Sequence, residues 1–218
     1  MKAFDIQAAG DAAVTEMVVI PGISAEPDGS QEAERRRGHR IRTVFRIARI
    51  VRDRAVGLWR VRNISDFGMM LLTRSRLPRG ERLTIELSSQ VTIDGRVVWS
   101  NEDACGVAFD TPIDSAAMLT RLVLEQREHG YRPPRAEASI RACVYGEDGI
   151  QPVTISDVSQ QGLGIRHAAS FEPGLRVRIL FEGGLERRGI VRWADDQKAG
   201  LELFDPLSCE DLETLLAT

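Results

Sequence analysis

Two stretches of this chain repeat each other 94 residues apart, and a repeat decides the number of folding units before any element is assigned. Asn63-Ile-Ser65-Asp-Phe-Gly68 falls on Asp157-Val-Ser159-Gln-Gln-Gly162, Gly80 on Gly174, Leu83 on Val177, Ile85 on Ile179 and Trp99 on Trp193. No gap interrupts the match from serine to tryptophan. One residue of slippage later, Gly106-Val-Ala-Phe109-Asp110 matches Gly200-Leu-Glu-Leu-Phe204-Asp205, and each is followed by a proline and a leucine-rich segment. The 218 residues therefore read as two units of about 90 to 100 residues each, a size at which a small domain still closes a core.

Within the first unit, short β-rich runs alternate with turn residues: 44–51, 57–64, 69–73, 82–87, 91–99 and 106–109. Many short strands at even spacing predict a small barrel or sandwich. A helix should close each unit. In the first, Pro112 suits the opening turn, Met118, Leu119, Leu122 and Val123 recur at helical spacing, and Gly130 with Pro133 and Pro134 stops it. In the second, Ser208-x-x-Asp211 reads as a capping box before Leu212, Leu215 and Leu216. The expected boundary between units is near Gly130.

Charge is distributed unevenly. Residues 1–34 hold seven acids among Ala, Gly, Pro and Ser and read as a flexible N-terminal arm. From Arg35 to Arg62 there are eleven arginines against the single acid Asp53. The formal net charge of the whole is only −3, so the chain lacks a global field for nucleic acid and any anion site is local. Cys105, Cys143 and Cys209 lack metal-ligand spacing and are expected as small buried hydrophobes, the three histidines are scattered singly, and a metal site is not expected. No nucleophile with a base partner and no phosphate-cradling glycine loop is evident, which argues against an enzyme. The absence of a leader-like segment or a long apolar run makes a cytoplasmic, soluble protein the expectation.

Arg36-x-x-x-Arg40 sets two guanidiniums on one side of the chain in either a helix or a strand. Such forks suit phosphate and the acceptor edge of guanine. The pair alone has little weight, because Arg42/Arg46 and Arg188/Arg192 share its spacing. Asn63-x-Ser65 puts an amide and a hydroxyl on one strand face, and Gly68 lets backbone or ligand approach closely. Recurrence at Asp157, Ser159 and Gly162 also fits a purely structural task, in which these side chains hold a strand end by local hydrogen bonds.

Order and distance make the first set specific: Arg36 and Arg40, twenty-two intervening residues, then Asn63, Ser65 and Gly68. This resembles the PilZ family, whose hallmark is an Arg-x-x-x-Arg arm followed by (Asp/Asn)-x-Ser-x-x-Gly on a six-stranded barrel. The resemblance implies a mainly β fold of two tandem small six-stranded antiparallel barrels, each followed by a C-terminal α-helix. It divides the chain into the arm 1–34, a domain 35–130 with the complete motif, and a degenerate domain 131–218. It implies a receptor that binds cyclic di-GMP, with Arg36 and Arg40 on phosphate and guanine and with Asn63, Ser65 and Gly68 on a guanine. Arg35, immediately before the pair, occupies the position that goes with an intercalated ligand dimer in the family. The implied output is transmission to an unknown downstream protein partner by arm ordering and domain rearrangement.

The second unit departs from that pattern. Through one residue of loop shortening Arg40 corresponds to Arg135, but Arg36 corresponds to Tyr131, and Pro133-Pro134 stiffens the approach. Little nucleotide affinity is expected there, although the Tyr131 ring can stack on a base. Trp99 and Trp193 recur in both units and are therefore expected in core packing. The alternative to a nucleotide receptor is a scaffold or interaction protein whose arginine-rich segment contacts an acidic partner or RNA.

Overall fold

The computed structural model describes residues 41–217 except 54, 131, 148 and 169, and describes only the backbone at 41–45 and 129. Six strands come first: β1 (Ile41–Val51), β2 (Val56–Ser65), β3 (Gly68–Leu72), β4 (Arg82–Glu86), β5 (Thr92–Ser100) and β6 (Ala104–Phe109). Helix α1 (Ser115–His129) follows. The series then repeats as β7 (Ala136–Gly146), β8 (Gly149–Val158), β9 (Gly162–Arg166), β10 (Arg176–Phe181), β11 (Glu186–Ala194), β12 (Lys198–Leu203) and α2 (Cys209–Leu216). Each set closes into an antiparallel barrel, in the orders β1-β2-β3-β6-β5-β4 and β7-β8-β9-β12-β11-β10. The expected architecture of two six-stranded barrels, each followed by a helix, is the one adopted.

The local reasons are those of the sequence pattern. Along β5 buried and exposed residues alternate, which places Ile93 and Val97 inside and Thr92, Asp94 and Arg96 outside. Gly80 and Gly174 take φ of 90° and 94° in corresponding turns, a conformation that suits glycine, and their N–H groups donate to the carbonyls of Val97 and Val191. Both helices are capped at positions 94 apart. The Asp114 side chain accepts from the Ala117 N–H, and Ser208 with Asp211 forms the expected capping box.

Strand register corrects two expectations about the repeat. Gly95 pairs with Phe109 exactly as far along as Gly189 pairs with Leu203, and Trp99 pairs with Gly106 as Trp193 pairs with Gly200. The spacing of 94 therefore runs on without slippage, and Phe109 is the counterpart of Leu203, not of Phe204. A slip of one residue would turn every side chain to the other face. Phe204 is accordingly 52% exposed while Leu203 is buried. The real offset change lies earlier. Between Arg42 and Arg46 three residues of β1 oppose one of β2, whereas between Glu137 and Ile140 two residues of β7 oppose one of β8. The shortening sits in a strand bulge, which bends the long first strand of each barrel.

The tryptophan expectation is also corrected. Trp99 and Trp193 are 41% and 49% exposed. Each indole lies on the outside of its barrel over a glycine of the neighbouring strand: a Cβ at Gly106 or Gly200 would collide with the indole Nε1. Trp59 is the buried one. Of the cysteines only Cys105 is fully buried, and burial pushes its thiol up to about 12, while Cys143 and Cys209 are half-buried.

Two apolar clusters form, but they do not divide at the chain's midpoint. The first joins Ile50, Val61, Leu71, Ile85 and Val107 to Leu119 and Leu122 of α1. The second joins Val144, Ile155, Leu163, Ile165, Ile179 and Phe181 to Leu212 and Leu215 of α2, and it also takes in Ile47 of β1 and Leu58 of β2. Those two first-barrel residues are 1% and 0% exposed, each burial contributing about 1.5–3 kcal/mol. Helix α2 packs against β2, and at its edge Arg74 pairs with Glu210 (2.6 Å) while the Arg74 backbone N–H donates to the Glu213 carboxylate.

Candidate functional site

The Ser and Gly positions of the motif do the same work in both barrels. Ser65 Oγ donates to the Gly68 carbonyl at 3.1 Å, and Ser159 Oγ donates to the Gly162 carbonyl at 3.1 Å. These bonds close the tight turns from β2 to β3 and from β8 to β9. Glycine is required because the turn presses on the neighbouring strand. A Cβ at Gly68 would run into the Val107 carbonyl oxygen of β6, and one at Gly162 would sit 2.9 Å from the Leu201 carbonyl of β12. The turn is also anchored through its backbone: Phe109 and Ile113 donate to the carbonyls of Phe67 and Asp66, as Leu203 and Leu207 do to those of Gln161 and Gln160. In the first barrel Asp66 adds a side-chain tie, accepting from the Ser115 N–H (3.1 Å) and Oγ (2.6 Å) at the start of α1.

The remaining motif position separates the barrels. Asn63 is half-buried, faces Met70 across the β2–β3 ladder, and points its Nδ2 at the Met70 sulfur at 3.7 Å, a weak acceptor. Its counterpart Asp157 pairs with Gly164, which has no side chain, and the carboxylate lies where a Cβ on Gly164 would be. That carboxylate forms an ion pair with Arg135, whose guanidinium also reaches to within 3.4 Å of a Cβ position on Gly162. An arginine thus lies across the second motif, neutralised by the motif's own acid. Sequence reading did not find this contrast. Its signal was Met70 against Gly164, a difference that acquires meaning only when both are placed opposite position 63 or 157.

Register also relates the arginines. Ile41 opposes Ile64 as Ala136 opposes Val158, so Ile41 and Ala136 are counterparts, and one place earlier in the sequence Arg40 corresponds to Arg135. Arg35, Arg36 and Arg40 themselves lie outside the described residues, as does Tyr131. Of the expected site residues the described structure brings together Asn63, Ser65 and Gly68, within six positions at one end of β2 and the turn that follows. Among the described residues no group of three or more His, Cys, Asp or Glu is arranged to hold a metal ion. No helix among them is long and apolar enough to cross a membrane.

The fold and the repeated turn define a tandem β-barrel protein with one motif-bearing turn per barrel. The PilZ domain profile matches residues 34–125 and again 126–217, and the chain belongs to the PilZ family. Similar solved structures include PlzA of Borreliella burgdorferi in complex with c-di-GMP, at 12% identity and a TM-score of 0.41, covering 85% of this chain and 95% of that one. The inhibitor of motility MotI/DgrA of Bacillus subtilis (12%, TM-score 0.32) covers 78% and 91%, and YcgR of Escherichia coli in complex with c-di-GMP (11%, TM-score 0.32) covers 78% and 80%. No curated protein matches the chain in sequence.

Proposed function

We propose that this chain is a non-enzymatic receptor for cyclic di-GMP, with one nucleotide site built on the first barrel. Arg36 and Arg40 grip phosphate and guanine, Asn63, Ser65 and Gly68 hold a guanine at the barrel surface, and Arg35 extends the site for an intercalated ligand dimer. Residues 1–34 are the arm, 35–130 the binding domain and 131–218 a domain that contributes interface.

The observation that carries this reading is the reach of Arg135. In the second barrel the counterpart of Arg40 touches the counterpart of Asn63 and lies over the counterpart of Gly68. A guanidinium at that chain position is therefore within reach of the motif. In the first barrel position 63 is a neutral amide, so an arginine arriving there meets no carboxylate at the place where Asp157 holds Arg135, and the motif's own acid, Asp66, hydrogen-bonds the start of α1 instead. Membership of the PilZ family supports the choice of ligand.

Signalling follows from β2. One end of this strand carries Asn63 and Ser65, and near its other end lies Leu58, which is buried in the second barrel's cluster beneath α2. Ordering of the arm over a ligand at one end changes the packing at the other, and the ligand shifts the population of barrel arrangements presented to a downstream partner. The test is calorimetric titration of the full chain with cyclic di-GMP, beside an unrelated oligonucleotide at moderate salt. Saturable binding of the dinucleotide alone is expected. Oligonucleotide binding without dinucleotide binding would replace this reading with that of a scaffold for an acidic partner or RNA.

A further inference from the structure

The outward row on β1–β2 consists of Ile47 opposite Arg60 and Arg49 opposite Leu58. The same register on β7–β8 sets Arg141 opposite Thr154 and Cys143 opposite Pro152. The two faces are therefore the same place on two copies of one barrel. On the first, the place is taken: α2 packs on β2, Ile47 and Leu58 are fully buried, and Arg74 at the end of β3 clasps Glu210 and Glu213. On the second, no other described element covers it. A shallow cleft of about 670 Å³ lies there, floored by Cys143, Pro152 and Leu180 and edged by Arg141, Arg166 and Glu182.

The chemistry of the open face follows that of the covered one, with a shift in strength. Its floor is mostly apolar, and Ile150, the counterpart of the half-buried Val56, is 59% exposed. At its rim Arg141 pairs with Glu182, while Arg166 is exposed and has no ion-pair partner among the described residues. The buried Ile47 and Leu58 are replaced by exposed Arg141 and Pro152. This exchange trades a core-like contact for one with less apolar burial and more charge, which suits an occupant that comes and goes. We propose that the outer face of β7–β8 is a reversible docking surface for an amphipathic helix of a partner protein, apolar on one side and acidic along its flank, seated as α2 is seated on the first barrel. The inference is independent of nucleotide binding.

The probe is a fluorescein-labelled peptide of residues 205–218 with Cys209→Ser, which carries the α2 pattern with Asp205, Glu210, Asp211 and Glu213. It is titrated into the full chain by anisotropy, and its site is mapped by amide shifts of the isotope-labelled protein. Saturable binding is expected, with shifts at 141–143, 152–154 and 166–168, and with at least tenfold weakening by Arg166→Glu in the protein or by Glu210→Lys and Glu213→Lys in the peptide. Absence of binding, binding indifferent to both charge changes, or shifts confined to 47–60 and 74, which mark exchange with the resident helix, would each overturn the proposal.

Discussion

The two barrels share turn geometry and cap positions, yet they differ in charge at the first position of the motif. In the second, Asp157 over Gly164 holds Arg135; in the first, Asn63 beside Met70 holds no charge. The comparison teaches that Ser-x-x-Gly is a feature of the barrel, in which glycine lets the turn press against the next strand. Its recurrence is accounted for by the turn, and the proposed single site rests on what surrounds it in the first barrel. The asymmetry arises from a neutral amide against a carboxylate and from a large neighbour against none.

The proposed asymmetry breaks most readily at the arm. Arg36→Ala or Arg40→Ala is expected to weaken cyclic di-GMP binding about a hundredfold or more, about 2.7 kcal/mol, with little change in Tm. Calorimetry and a thermal melt on each variant check this, and tight binding by either one removes the arm from the site.

Leu58→Ala tests whether the barrels share a core. Although Leu58 belongs to a strand of the first barrel, it is buried in the second cluster, and its truncation is expected to cost about 3 kcal/mol. The loss should appear in urea unfolding followed by Trp193 in the second barrel. If the Trp193 signal is unmoved, the two domains fold separately and coupling through β2 fails.

The glycines give a graded comparison. Gly68→Ala meets a backbone carbonyl more closely than Gly162→Ala does, so about 3 kcal/mol is expected for the first and about 1 kcal/mol for the second. Denaturant midpoints of the two variants decide it, and equal costs would show that the first turn yields as easily as the second.

Stoichiometry sharpens the contrast between sites. Tyr131→Arg supplies the missing guanidinium but leaves Arg135 paired with Asp157 and Pro133-Pro134 rigid. Titration should show no second site of comparable affinity, and one within about tenfold of the first, roughly 1.4 kcal/mol, would defeat the asymmetry.

The smallest effect concerns the helix caps. Burial raises the Asp211 carboxyl, but hydrogen bonds from Ser208 and the Arg187 charge outweigh it and hold the group below its ordinary range. A depressed folded pKa contributes stability that is present above the usual value of about 3.9 and is lost as pH falls through the folded value. Asp211→Asn is expected to cost under about 1 kcal/mol at pH 7 and to flatten the acid limb of the stability curve below about pH 4. Stability that falls equally with acid in both proteins would dismiss the role of this carboxylate.

Repetition and periodicity alone decided that there are two units, where most strands lie, that a helix closes each unit and where the second helix begins; the first begins at Ser115, capped by Asp114, three residues beyond the expected Pro112. They could do so because strand alternation, turn glycines and capping side chains are satisfied by neighbours a few residues away. The Ser65-x-x-Gly68 turn was legible for the same reason, since its hydrogen bond spans three residues. Packing decided the rest: Phe204 and the two repeated tryptophans are on the surface, Ile47 and Leu58 belong to the other barrel's core, and Arg135 closes over its own motif. An apolar residue in a strand announces that one face is covered without saying by what. The coverer here comes from more than a hundred residues away, and its position depends on how two closed barrels seat against each other, which no local spacing encodes.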